Sequence, residues 1–296
     1  MTRPILLVGG SGLLGSTLSP LLRASTPVLV HGHQGKADVC ADLTDASHTY
    51  SLLEQVEPTA IINLAGHTNV DGCEQEPNQA YRLNVRVVEN LVNWISMQES
   101  PPTFIHISTD QVYDGDGPHP EHDVTLSNTY ALTKYAGELA ALRVPSTVLR
   151  TNFFGPSRCP SRASFTDWLL AGLRGSQPLK VFDDLCFSPL SMTTLCRAIS
   201  VVLSSPVKGV FNLGAKDGMS KADFAFAFAQ ALDLPTAGME RTTTNQVDFL
   251  KTYRPKDMRM DSQAFESAFN LDLPFLAQEL QLTCEEYRRE TAPTLA

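Results

Sequence analysis

Positive charge is scarce in this sequence: 23 lysines and arginines face 32 aspartates and glutamates, a net charge of −9. A surface that binds nucleic acid or an anionic membrane carries a basic excess, so neither partner is expected. A small anionic ligand stays compatible, because one glycine-rich turn or one arginine can hold a phosphate inside an acidic protein. Long apolar runs are lacking too, and none approaches the roughly 18 residues of a membrane span. Met1 to Gly10 lacks a basic segment followed by a cleavable apolar stretch and runs straight into a strand pattern. The six cysteines, Cys40, Cys73, Cys159, Cys186, Cys196 and Cys284, include no C-x-x-C pair and have no histidine at zinc-ligand spacing. Scattered reduced thiols in a cytoplasmic protein, with no metal site, are the expectation.

The 296 residues suffice for about two domains, or one large domain with a lobe. The first half alternates short apolar strands with helices. Strands are expected at Ile5–Val8, Val28–Val30, Ala60–Leu64, Phe104–Ile107 and Thr147–Leu149. Helices are expected from the glycine turn to about Leu22, over Asp45–Val56, as one long segment over Pro77–Met97, and over Thr129–Leu142. Continuous apolar strands alternating with helices imply an α/β, doubly wound parallel sheet of Rossmann type. After about Gly155 the rhythm loosens, with helices near 164–174, 193–203 and 221–232 and short strands near 179–182 and 210–213. The expected division is a dinucleotide-binding domain at 1–155 and a smaller C-terminal substrate-binding lobe at 156–296, interleaved with the end of the sheet.

The turn after the first strand reads GGSGLLG, from Gly9 to Gly15. Gly10, Gly12 and Gly15 satisfy G-x-G-x-x-G, and Gly9, Gly12 and Gly15 satisfy G-x-x-G-x-x-G. Glycines permit a tight turn and close approach to a pyrophosphate, and the helix that follows presents amide donors and a partial positive charge. NAD enzymes of this type place an acid near the end of the second strand to hold the adenosine ribose. Here that segment is His31-Gly32-His33-Gln34-Gly35-Lys36, without an acid. A 2′-phosphate against Lys36 or a histidine such as His31 is expected, hence NADPH, with NADH as the alternative.

Tyr130 and Lys134 stand four apart in YALTK and so share one helical face. A tyrosine can protonate a carbonyl as hydride arrives, but its free pKa near 10 is high for cycling at neutral pH. A nearby ammonium lowers it. Ser108-Thr109-Asp110 follows the fourth apolar strand, at the sheet edge where open α/β folds bind ligands. Gln111 lies two residues beyond Thr109, so on an extended segment both side chains face the same side.

These segments carry a resemblance. With ADLTD at 41–45, INLAGHTNVDGCEQEP at 62–77, ISTDQVYDG at 107–115, YALTKYAGE at 130–138, LRTNFFG at 149–155 and RPKDMRMD at 254–261, the chain resembles the extended short-chain dehydrogenase/reductases. Within them it is similar to the dTDP-4-dehydrorhamnose reductase group. The resemblance implies reduction of a 4-keto-6-deoxy nucleotide sugar by NAD(P)H. Thr109 would polarise the carbonyl, Tyr130 would protonate the alkoxide, and Lys134 would tune Tyr130 and bind the nicotinamide ribose. Gly9, Gly12, Leu13, Leu14, Asp42, Leu43, Ala65, Gly66, Thr68 and Ser108 would line the cofactor path. Thr68, Val70, Gln111 and Asn152 would meet the sugar. Arg254 would hold the diphosphate or anchor the last loop. A homodimer is the assembly to test. Gln111 departs from the aromatic usual in this group, and LRTNFFG is about one residue short, so the identity of the sugar stays open. An epimerase or dehydratase of the same superfamily, and a non-catalytic regulatory protein like the methionine adenosyltransferase β subunit, are the alternatives.

Overall fold

The structure is a computed structural model that describes residues 3–33, 37–175 and 178–291. It opens with β1 (Ile5–Val8), α1 (Leu13–Arg23), β2 (Val28–Gly32), β3 (Val39–Cys40), α2 (Ala46–Val56) and β4 (Ala60–Asn63). Then come α3 (Val70–Gln75), α4 (Pro77–Tyr81), α5 (Val87–Ser96), β5 (Thr103–Thr109), α6 (Thr129–Ala141) and β6 (Ser146–Thr151). A final sheet strand, Gly209–Leu213, joins β6 in parallel. The seven strands are parallel and run in the order Gly209–Leu213, β6, β5, β4, β1, β2, β3. The order reverses between β1 and β4, the switch point where such sheets take ligands beyond the carboxyl ends of the strands.

The central strands are buried on both faces and mostly apolar, and the polar residues they carry, among them Asn63, His106, Thr109 and Arg150, are buried as well. Their period of two sorts side chains into separate cores. Ile5, Leu7, Ile62 and Ile105 pack with α1 on one face. Leu6, Val8, Ile61 and Phe104 pack with α2 and α5 on the other. Asp45 caps α2 by accepting the His48 amide, and Asn128 caps α6 by accepting the Ala131 amide.

The segment expected as one helix over Pro77–Met97 contains a π-helical turn at Arg82–Arg86 between α4 and α5. The turn accompanies the placement of Asn84, whose amide accepts the His67 N–H at 2.7 Å and donates to the His67 carbonyl and the Thr133 hydroxyl. Such turns recur at functional sites, and here one ties the loop after β4 to α6. Beyond residue 155 lie α7 (Phe165–Arg174), α8 (Met192–Ser204), α9 (Lys221–Ala231), α10 (Gln263–Phe269) and α11 (Leu276–Thr291), with two short two-stranded pairs and a third in which Leu190–Ser191 joins Phe153–Phe154. Among the described residues no helix is long and apolar enough to cross a membrane.

Candidate active site

A cavity of about 720 Å³ opens along the carboxyl ends of the strands at the switch point. Its floor is the glycine turn. Gly9 has φ +71°, and a Cβ there would lie 2.8 Å from the Ala65 backbone; a Cβ on Gly15 would lie 2.3 Å from the Gly10 carbonyl oxygen. The first glycine permits the left-handed turn, and the last lets the start of α1 close against it. Gly12 begins α1 without a side-chain cap, so the amides of the first turn are left for a ligand at the cavity floor. Leu13, Leu14, Asp42, Leu43, Ala65, Gly66, Thr68 and Ser108 all line the same cavity.

The second-strand end differs from expectation in its details. Lys36 lies outside the described residues. His31 lines the cavity, but its ring is held by the backbone: Nδ1 accepts the Gly9 amide at 3.4 Å and Nε2 meets the Ala41 carbonyl at 3.0 Å. Burial lowers its pKa against the Ala41 hydrogen bond, which leaves a neutral imidazole rather than a cation for a phosphate. His33 lines the wall beside Asp42, whose carboxylate accepts from the Thr44 amide and hydroxyl.

At the far end Thr109, Tyr130 and Lys134 converge, each buried and each on the cavity wall. The i, i+4 spacing on α6 does place Tyr130 and Lys134 on one face. The Thr109 hydroxyl donates to the Asp110 carboxylate at 3.2 Å and accepts the Gln111 amide at 3.2 Å. The Lys134 ammonium donates to the Ile107 carbonyl at 2.7 Å. Burial pulls the Lys134 pKa down to about 8 against the raising influence of Glu138. Burial pushes Tyr130 up, opposed by the Thr109 hydrogen bond and reinforced by the Asp110 charge. The expected depression of Tyr130 by Lys134 is not seen, since Lys134 is not among the groups that shift it. Desolvation of the phenolate dominates, because Tyr130 packs in a small cluster with Val70, Cys73 and Ala80.

Val70 therefore lies in the packing beside Tyr130 and is not among the residues of the cavity wall. Asn152 does line the wall, and donates to Asp110 at 2.5 Å. Asp110 is 1% exposed, and burial raises it to about 6 against the Asn152 hydrogen bond and the Lys221 charge. Gln111 also lines the cavity, but not from an extended segment. Thr109 caps a 3₁₀ turn at Asp110–Val112 by accepting the Gln111 amide. Arg254 forms a two-point ion pair with Asp71, at 2.8 and 3.2 Å, and donates to the Thr252 carbonyl. It also lines a smaller chamber that shares Gln111 with the main cavity. His33, one of the histidines expected near a 2′-phosphate, lines the cavity. Sequence reasoning did not single out Ser11 or Arg162, which line the cavity, or Lys221, which lines the smaller chamber. Ser11 sits within the glycine turn, whereas the others arrive from segments without local pattern.

A seven-stranded parallel sheet with a glycine turn at its switch point and a buried Thr-Tyr-Lys set beyond its strands defines a Rossmann-type fold of the extended short-chain reductase kind. The family model described as the RmlD substrate binding domain matches residues 2–289, and the chain belongs to that family. A protein of Haloferax volcanii named as a probable low-salt glycan biosynthesis reductase is 26% identical, covering 93% of this chain and 95% of its own. The dTDP-4-dehydrorhamnose reductase of Escherichia coli is 29% identical, covering 91% of this chain and 93% of its own. A crystal structure of dTDP-4-dehydrorhamnose reductase from Bacillus anthracis in complex with NADP superposes with a TM-score of 0.85, at 21% identity, over 97% of this chain and 100% of the other.

Proposed function

We propose that the chain reduces the 4-keto group of a nucleotide sugar with NADPH, with Tyr130 as proton donor. One observation carries this reading: buried Thr109, Tyr130 and Lys134 converge on one wall of a cavity whose floor is the glycine turn, with Tyr130 and Lys134 on the same helical face. The residues present fit a dinucleotide, since the Gly9–Gly15 turn forms a cavity floor without side chains that packs closely on Ala65 and α1, and α1 offers uncapped amides. When bound, the nicotinamide supplies the hydride. We assign the cofactor to residues 1–155 and most of the sugar contacts to 156–296, with Thr68, Gln111 and Asn152 at the seam.

The chain's own groups divide the rest of the work. Thr109 orients the Tyr130 hydroxyl and the substrate oxygen together. Tyr130, kept as a phenol by burial, gives its proton to the oxygen as charge develops there. Lys134 holds a positive charge beside the site up to about pH 8, near the ribose of the cofactor and the departing proton's origin. The named activities of the relatives support a 4-keto-6-deoxy sugar as the first substrate to test. Among the described residues no disulfide joins the six cysteines, which supports a reducing, cytoplasmic setting.

The test is NADPH consumption, followed at 340 nm, with dTDP-4-dehydrorhamnose and related 4-keto nucleotide sugars. Turnover is expected with at least one of them, and calorimetry is expected to give tighter binding of NADPH than of NADH. Tight nucleotide binding with no turnover of any 4-keto sugar overturns the reductase reading in favour of a regulatory binding protein. Equal affinity for the two cofactors removes the NADPH assignment alone.

A further inference from the structure

The smaller chamber beside the catalytic end has a volume of about 110 Å³. Its walls are mostly apolar, with Phe182, Leu185, Leu250 and Met258, yet three polar groups enter it: Gln111, Lys221 and Arg254. Arg254 already has its counter-charge in Asp71 at 2.8 Å. Lys221 does not. Its ammonium stands 5.8 Å from the Phe165 ring centre and 5.7 Å from that of Phe187, and among the described residues no hydrogen bond or ion pair to it is seen. Two aromatic faces attract a cation but accept none of its three N–H bonds conventionally. The acid whose charge it feels is Asp110, already engaged by Asn152 and Thr109. The Gln111 side-chain oxygen is likewise buried without a donor.

A half-buried ammonium without an acceptor and a buried amide oxygen without a donor each cost free energy if left so. Both residues line one small chamber, and Gln111 belongs to its wall and to the wall of the main cavity. Gln111 follows Thr109 by two residues, so the chamber adjoins the reacting end of the site. An occupant that completes both groups brings an oxyanion for Lys221 and a hydroxyl hydrogen for Gln111.

We infer that this chamber is an oxyanion subsite, and that Lys221 selects a nucleotide sugar whose sugar ring carries a carboxylate. The inference rests on the nucleotide-sugar reading above and, within it, favours an acidic sugar over the 6-deoxy sugar named there as the first to test. Lys221 is a specificity-determining residue here. Arg254, neutralised by Asp71, borders the subsite and stiffens it.

Calorimetry on the NADP⁺-saturated chain tests this with UDP-glucose, UDP-glucuronic acid and UDP as probes. The unmutated chain is expected to bind UDP-glucuronic acid about 10–100-fold more tightly than UDP-glucose, the range of one charge-assisted hydrogen bond. Lys221→Met keeps length and loses charge; it should abolish that preference while leaving UDP and UDP-glucose unchanged. Lys221→Arg should retain much of it. An unchanged NADPH affinity and melting temperature in both variants shows that the fold is kept. If Lys221→Met weakens UDP and both sugars alike, the oxyanion is the diphosphate and the sugar carboxylate is overturned. If it changes none of them, the subsite itself is overturned. If the unmutated chain binds NADPH but no nucleotide or nucleotide sugar, the substrate reading has failed, and the inference falls with it.

Discussion

Tyr130→Phe is expected to lower turnover by about 10²–10⁴-fold, the range for loss of a general acid, while NADPH binding is retained. The substitution is structurally mild. The ring stays in the same packing with Val70, Cys73 and Ala80. The Thr109 hydroxyl keeps the Asp110 carboxylate at 3.2 Å and the Gln111 amide at 3.2 Å. The glycine turn is untouched, so fluorescence titration with NADPH should give an affinity close to that of the unmutated chain. The pH profile separates Tyr130 from Lys134. Burial keeps Tyr130 protonated well above neutrality, so it does not limit the reduction as pH rises. Lys134 has its pKa lowered to about 8 and is charged only below it, so kcat/KM should fall on the alkaline side near pH 8. Near-normal turnover in Tyr130→Phe would remove Tyr130 as proton donor. An alkaline limb that persists near pH 8 in Lys134→Met would remove Lys134 as its source.

Much of this site was legible because its logic is local. The strands read as predominantly apolar runs, since the central ones are covered on both faces, and the turn, the first helix and the Tyr130–Lys134 spacing follow from adjacent residues. The π turn at Arg82–Arg86 was not legible, because it accompanies hydrogen bonds between Asn84 and His67, 17 residues away. Nor was the state of His31, whose charge is decided by burial and two backbone partners rather than by its place in the sequence. Gln111 was expected on the right wall for an incomplete reason: Thr109 caps a 3₁₀ turn where an extended segment was assumed. Lys221 carries no local signal. Only the packing of α9 against the strand pairs brings it to the chamber with Gln111.

The other large effect concerns what holds the catalytic strand to the catalytic helix. Glu138 on α6 and Arg150 on β6 form an ion pair at 2.6 Å whose side chains are 1% and 3% exposed. Ser108, next to Thr109, donates to the same carboxylate. Arg150 also donates to the Tyr113 hydroxyl at 2.7 Å and to the Glu121 carbonyl at 2.6 Å. Neutralising one partner strands the other charge in the interior, where water cannot replace the lost carboxylate. Glu138→Gln should therefore cost about 3–5 kcal/mol, against near-neutrality for well-packed replacement of both partners. The melting temperature should fall by roughly 10 °C. The double variant Glu138→Gln with Arg150→Met should recover much of that loss, because no charge then remains buried. A second readout links the pair to chemistry. The Glu138 charge raises the Lys134 pKa against burial, so removing it should move the alkaline limb of kcat/KM to lower pH. A Glu138→Gln chain that melts like the unmutated one would mean that Tyr113 and Glu121 alone satisfy Arg150. An unmoved alkaline limb would mean that Glu138 positions the helix without tuning Lys134.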